Sequence, residues 1–198
     1  MYRVTPLPPT ALTPEQRRAY DCARSFLDQT PVDRSVWEDR DGVLTGPFLP
    51  MMHTPTVIEP FSTLLIEMSK LPGFSRAARE VAILAVGSHF QAHYVLYAHG
   101  ECAAHTGLTP AQIEAVKTGR KPGGEEVALD AECEVAFDVA TELVKKPGPL
   151  ADESWRRAET TFGKEGALAL TYYAGFYAFI CTLLNAVDIP VATTKEHR

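Results

Sequence analysis

The chain has 198 residues, 45% of them hydrophobic, which is enough for a real core and argues against global disorder. Asp and Glu outnumber Lys and Arg by 25 to 19, for a formal charge of −6, and no basic stripe stands out, so no nucleic-acid partner is expected. Cys22, Cys102, Cys133 and Cys181 form no CxxC and follow no regular spacing; they read as four reduced thiols in a cytoplasmic protein rather than as a disulfide framework.

The opening MYRVTPLPPTALTPEQRRAY lacks the apolar core of a signal peptide. Within it, Thr13-Pro14-Glu15-Gln16 is a capping box with proline at the first helical position, which predicts a helix to about Leu27 or Asp28. Residues 30–53 carry Pro31, Gly42, Gly46, Pro47 and Pro50 and predict a long irregular surface wrap or site-lining loop. Thr54-Pro55 opens a second helix over VIEPFSTLLIEMSKL, closed by Pro72-Gly73, with Pro60 marking a kink or a late start. Ser75 caps a third helix, RAAREVAILAVG, with a break expected at Gly87-Ser88. A fourth runs from near Gln91 to His105 or Thr106, with Gly107 as its C-cap.

Thr109-Pro110-Ala111-Gln112 is another capping box, and its short helix stops at Gly119. After the loop RKPGGEE, a helix spans Asp130 to Lys145 and is stopped by Pro147-Gly148-Pro149; Asp152 caps one more through Phe162, which Gly163 ends. The last segment, GALALTYYAGFYAFICTLLNAV (166–187), has no charge and is long enough to span a bilayer. Its tyrosines lie mid-run rather than at the ends, so a buried core or subunit-interface helix is expected, not a membrane span. The only strand-like run, VLTGPF, is short and glycine-broken. The expected fold is a single all-α domain over 1–198, with about seven or eight helices.

The stretch REVAILAVGSHFQAHYVLYAHG (79–100) places one acid, Glu80, in an apolar run, followed by His89, His93 and His99. On one straight helix Glu80 and His99, 19 residues apart, would sit about a quarter turn and about 30 Å from each other. Two helices folded back at a break would bring them together. Bland readings compete: Glu80 as an acid paired with Arg76 or Arg79, His99 as a structural histidine, Tyr94 and Tyr97 as core or interface, Cys102 as a small buried apolar residue, and His53 as a surface group in a proline-rich loop. His89 and His93 stand at i, i+4, a spacing that can chelate zinc, but no third ligand is evident, so no metal is expected. The stripe Tyr172, Phe176, Phe179 and Leu183 reads as packing.

REVAIL and YVLYAH, with a glutamate and a histidine nineteen residues apart, resemble the helical signature of the carboxymuconolactone decarboxylase / alkylhydroperoxidase D family; GPFLPMMHTPTV is similar to its lead-in and LNAVDIPV to the end of its closing helix. The likeness spans residues 46–191, leaving 1–45 as an N-terminal helix and wrapping segment. It implies an alkylhydroperoxidase D-like helical bundle assembled as a homo-oligomer, a trimer or a hexamer. The peroxidase branch carries a CxxC before the histidine, and those two positions are Ala92 and Val95 here, so thiol-peroxidase chemistry is not expected. The decarboxylase branch implies a lyase without cofactor, acting on a small carboxylated, unsaturated lactone or keto acid. Glu80 and His99 would be its acid–base pair, and His93, Tyr94, His89 and His53 its substrate contacts. A non-catalytic small-molecule-binding protein is the alternative, and a residual redox role a third.

Overall fold

The structure, a computed structural model, describes residues 3–29, 33–124 and 127–191. Pro31 of the expected wrap and Glu125-Glu126 of the RKPGGEE loop lie outside the described residues. Among the described residues the α-helical segments are eight: α1 Pro14–Leu27, α2 Phe48–Met51, α3 Ile58–Ser69, α4 Arg76–Phe90, α5 His93–Ala104, α6 Pro110–Lys117, α7 Ala131–Lys145 and α8 Asp152–Val187. Among the described residues there is no strand, only an isolated bridge between Glu38 and Leu44. The all-α expectation holds.

The chain divides into two compact units, one made of Met1–Ser69 with Leu183–Arg198 and one of Lys70–Thr182. In the first, both halves of the Thr13–Gln16 capping box form, and Gln16 also donates to the Met52 carbonyl at 3.2 Å. Phe48 is the core ring, against Phe26 at 6.3 Å and edge-on to Phe61 at 5.7 Å. Residues 43–52 are therefore not a surface wrap: Val43, Leu44, Phe48, Leu49, Met51 and Met52 are buried, because the short α2 turns its apolar run inward. Pro60 neither kinks nor delays α3; it sits in the first turn, where a missing N–H costs nothing.

In the second unit α4 packs against α5, α6 and α7, and Val81 through Val86 are all buried. A helix apolar on every side needs neighbours on every side. The Ser75 hydroxyl caps it, accepting from the Ala78 amide. The helix does not break at Gly87-Ser88. It runs to Phe90 and ends at Gln91, a non-glycine residue in the left-handed region (φ 51°, ψ 40°) whose side chain donates to the Ser88 carbonyl at 2.6 Å. Gly87 serves close approach instead: a Cβ there would lie 3.1 Å from Val95 and 3.2 Å from Leu96 of α5.

Gly163 (φ 69°) leaves helical geometry, so α8 is two helices joined at a kink, as the sequence predicts. By length and composition α8 could cross a membrane, but half of its apolar window is buried inside the protein. Its inner face carries Leu170, Tyr173, Ala174, Tyr177, Ile180 and Cys181, all buried. Its outer face is partly exposed: Leu168, Tyr172 and Phe179 are 37%, 51% and 50% exposed.

Candidate acid–base site

The left-handed turn at Gln91 folds α5 back along α4. His99 then meets Glu80: its Nδ1 lies 2.8 Å from Oε2 of the carboxylate, and both side chains are largely removed from solvent. A buried carboxylate is costly without a charged or donating partner, and the imidazole supplies one. A carboxylate only accepts, so Nδ1–H donates to it and Nε2 is the ring nitrogen not engaged in the pair. Among the described residues Nε2 has no protein partner, and Glu80 is ion-paired with neither Arg76 nor Arg79.

Two tyrosines that sequence reasoning passed over, and Arg79, which it read only as an ion-pair partner of Glu80, complete the surroundings. Tyr177 stands edge-on to His99, ring centroids 4.8 Å apart. Tyr173, one turn earlier on α8, stacks on Tyr177 at 6.3 Å with 16° between the planes. Arg79 places its guanidinium carbon 4.9 Å from the Tyr173 centroid. Burial, reinforced by the Glu80 carboxylate, pushes the Tyr177 phenol well above its ordinary range, so it is a hydrogen-bond donor and not a phenolate. Tyr173 is raised in the same way by burial, with Arg79 opposing.

Cys102 lies one turn beyond His99 on α5. Its thiol is pushed up to about 12, by burial first and by Glu80 next. Such a group is neither a ready nucleophile nor easily oxidised. The positions where a thiol pair would be needed hold Ala92 and Val95, both buried. Glu80, His99 and Cys102 keep their ligand atoms within 4.8 Å of one another, the one such trio of donors among the described residues. To take a tetrahedral ion they would have to give up the Glu80–His99 hydrogen bond and ionise the Cys102 thiol.

His89 and His93 are exposed on either side of the Gln91 turn, His89 edge-on to Phe90 at 5.1 Å, and no hydrogen bond joins either to Glu80 or His99 among the described residues. Tyr94 is buried, with its ring 6.5 Å from that of Tyr97. His53 belongs to the other unit and is exposed, its Nε2 on the Thr5 carbonyl at 2.8 Å.

The chain matches no protein-family model and no curated protein sequence. It is similar to solved structures. One is an uncharacterised peroxidase-related protein with an alkylhydroperoxidase AhpD core from Ralstonia eutropha JMP134, at 17% identity and TM-score 0.73, over 96% of this chain and 91% of that one. Another is the debrominase Bmp8, at 15% identity and TM-score 0.71. A cysteine-to-alanine variant of it in complex with 2,3,4-tribromopyrrole matches over 98% of this chain and 94% of that one, and its apo form over 98% and 95%. The chain has the AhpD-like helical fold, in keeping with its resemblance to the carboxymuconolactone decarboxylase / alkylhydroperoxidase D family.

Proposed function

We propose that the protein is a lyase that uses Glu80 and His99 as an acid–base pair to remove CO₂ from a small carboxylated, unsaturated lactone or keto acid. The observation that carries this reading is the 2.8 Å contact between His99 and a buried Glu80, in a site without a usable thiol. As the C–CO₂⁻ bond breaks, its electron pair passes into the conjugated carbonyl. The imidazolium form of His99 delivers a proton from Nε2 to the resulting carbanion, and water then reprotonates the neutral ring. Glu80 holds the ring orientation and stabilises the imidazolium. The chemistry moves one proton and no electrons from outside, so it calls for neither a thiol pair nor a cofactor.

The protein acts in this proposal as a cytoplasmic homo-oligomer, a trimer or a hexamer. Leu168, Tyr172 and Phe179 recur along one face of α8, and a second copy would cover them. The test is a screen of carboxylated lactones and β-keto acids for CO₂ release, comparing the wild type with His99→Ala. Release by the wild type that is lost in the variant supports the reading. A panel in which no acid reacts yet one binds tightly would favour the non-catalytic binding protein. Thiol-dependent peroxide reduction would favour the redox alternative.

A further inference from the structure

The reaction as written leaves Arg79 without a task. Its Nε is buried and meets no acceptor, and among the described residues its side chain forms no hydrogen bond or ion pair. A guanidinium is always charged and offers a planar fork of donors that matches a carboxylate. Here the guanidinium lies over the Tyr173 ring, its carbon 4.9 Å from the centroid. Tyr173 stacks on Tyr177, and Tyr177 stands against the acid–base histidine. The cation, two nearly parallel rings and the base thus form a contiguous row, contributed by neighbouring positions of α4 (Arg79, Glu80), by α5 and by successive turns of α8.

We infer that Arg79 is the anion-recognition residue of this site, so that its ligand is an organic carboxylate held by the guanidinium at one end with its reacting end toward His99. This rests on the acid–base reading for the role of His99, but not for the binding itself. A carboxylate would pair with the terminal nitrogens of Arg79, which is half-buried and whose only buried donor is Nε. The Tyr177 phenol, held neutral, would be within the same row to donate to the carbonyl on which negative charge develops. Of the other ionisable groups around this row, Glu80 repels an anion, Cys102 is neutral, and Arg76 and His99 are the further sources of positive charge, so the preference lost in Arg79→Gln is the part that belongs to Arg79.

The test titrates 2-furoate and its uncharged isostere 2-furamide into the wild type, Arg79→Gln, Arg79→Lys and His99→Ala, following tyrosine signals by NMR. The wild type should prefer furoate by about tenfold or more, the scale of a lost charge-assisted hydrogen bond. Arg79→Gln should lose that preference, Arg79→Lys should keep part of it, and His99→Ala should keep it whole. On a reacting acid, Arg79→Gln should raise KM more than it lowers kcat. The inference is overturned if the wild type binds both probes equally or neither. It is also overturned if Arg79→Gln, folded by circular dichroism and thermal midpoint, still prefers furoate. Full turnover by His99→Ala would instead sink the acid–base reading while leaving the furoate preference in place.

Discussion

Two pairs of residues on α4 and α5 have opposite fates. His89 and His93 are four apart in sequence, the spacing that aligns side chains on one helix face. Glu80 and His99 are nineteen apart, a spacing that no straight helix could bring together. In the structure the distant pair touches at 2.8 Å, whereas the near pair is exposed on two different helices. A single feature produces both results. The left-handed Gln91 interrupts the helix between His89 and His93, so their register is not helical. The same turn lays α5 back on α4 and delivers His99 to Glu80. A spacing rule holds only inside an unbroken element, and a turn can create one proximity while it removes another.

The comparison can be broken most directly at the buried pair. His99→Ala should lower turnover of a reacting acid by about a hundredfold or more, the scale of a lost general acid or base. Glu80→Gln should also be slow, since it keeps the shape but removes the charge that holds the imidazolium. His89→Ala and His93→Ala should change KM no more than a few-fold and leave kcat alone. A hundredfold loss in either would mean that the exposed pair, not the buried one, performs the chemistry.

The next largest effect should come from the helix contact itself. Gly87→Val would press a branched side chain into Val95 and Leu96, and should cost about 1–3 kcal/mol of stability, read from denaturant unfolding. Because it separates α4 from α5, turnover should fall as well. An unchanged unfolding midpoint would show that the two helices can part freely.

Smaller effects concern the thiols. Cys102→Ser should leave turnover within a few-fold, and iodoacetamide should modify native Cys102 far more slowly at pH 8 than the unfolded chain. Cys102, Cys133 and Cys181 are each pushed up to about 12 in the native protein, chiefly by burial. The native state therefore holds these protons more tightly than the unfolded state does. Their contribution is complete below about pH 9 and is lost as the pH rises toward 12. Urea midpoints that stayed flat across that interval would contradict it. At the outer face of α8, Tyr172→Glu together with Phe179→Glu should reduce the assembled mass seen in sedimentation, with little change in secondary structure.

Much of the fold was legible because its signals are local. The capping boxes at Thr13 and Thr109 form as their sequences predict, and Gly163 ends its helix although the next follows directly after a kink. The break at Gly87-Ser88 was misplaced because glycine lowers helix propensity, while packing against Val95 and Leu96 keeps the helix intact. The inward turn of residues 43–52 was hidden because prolines and glycines suggest a loop whether its apolar residues face in or out. At the site, the resemblance of the glutamate–histidine spacing to a family signature named the pair. Tyr173 and Tyr177 gave no signal inside a run without charge, where every face looks alike. Only the docked α8 distinguishes them from the exposed Tyr172.

The turn at Gln91 also bears on the order in which the site can assemble. Glu80 and His99 both lie within the hairpin of α4 and α5, so closing that contact spans only nineteen residues and carries a small loop entropy. Tyr177 is 78 residues further along than His99 and can arrive only when α8 docks. The acid–base pair belongs to the rapidly formed local part of the fold, and its aromatic wall to the slow, long-range part. A refolding chain should therefore pass through a stage in which His99 already holds Glu80 while its ring edge still faces water.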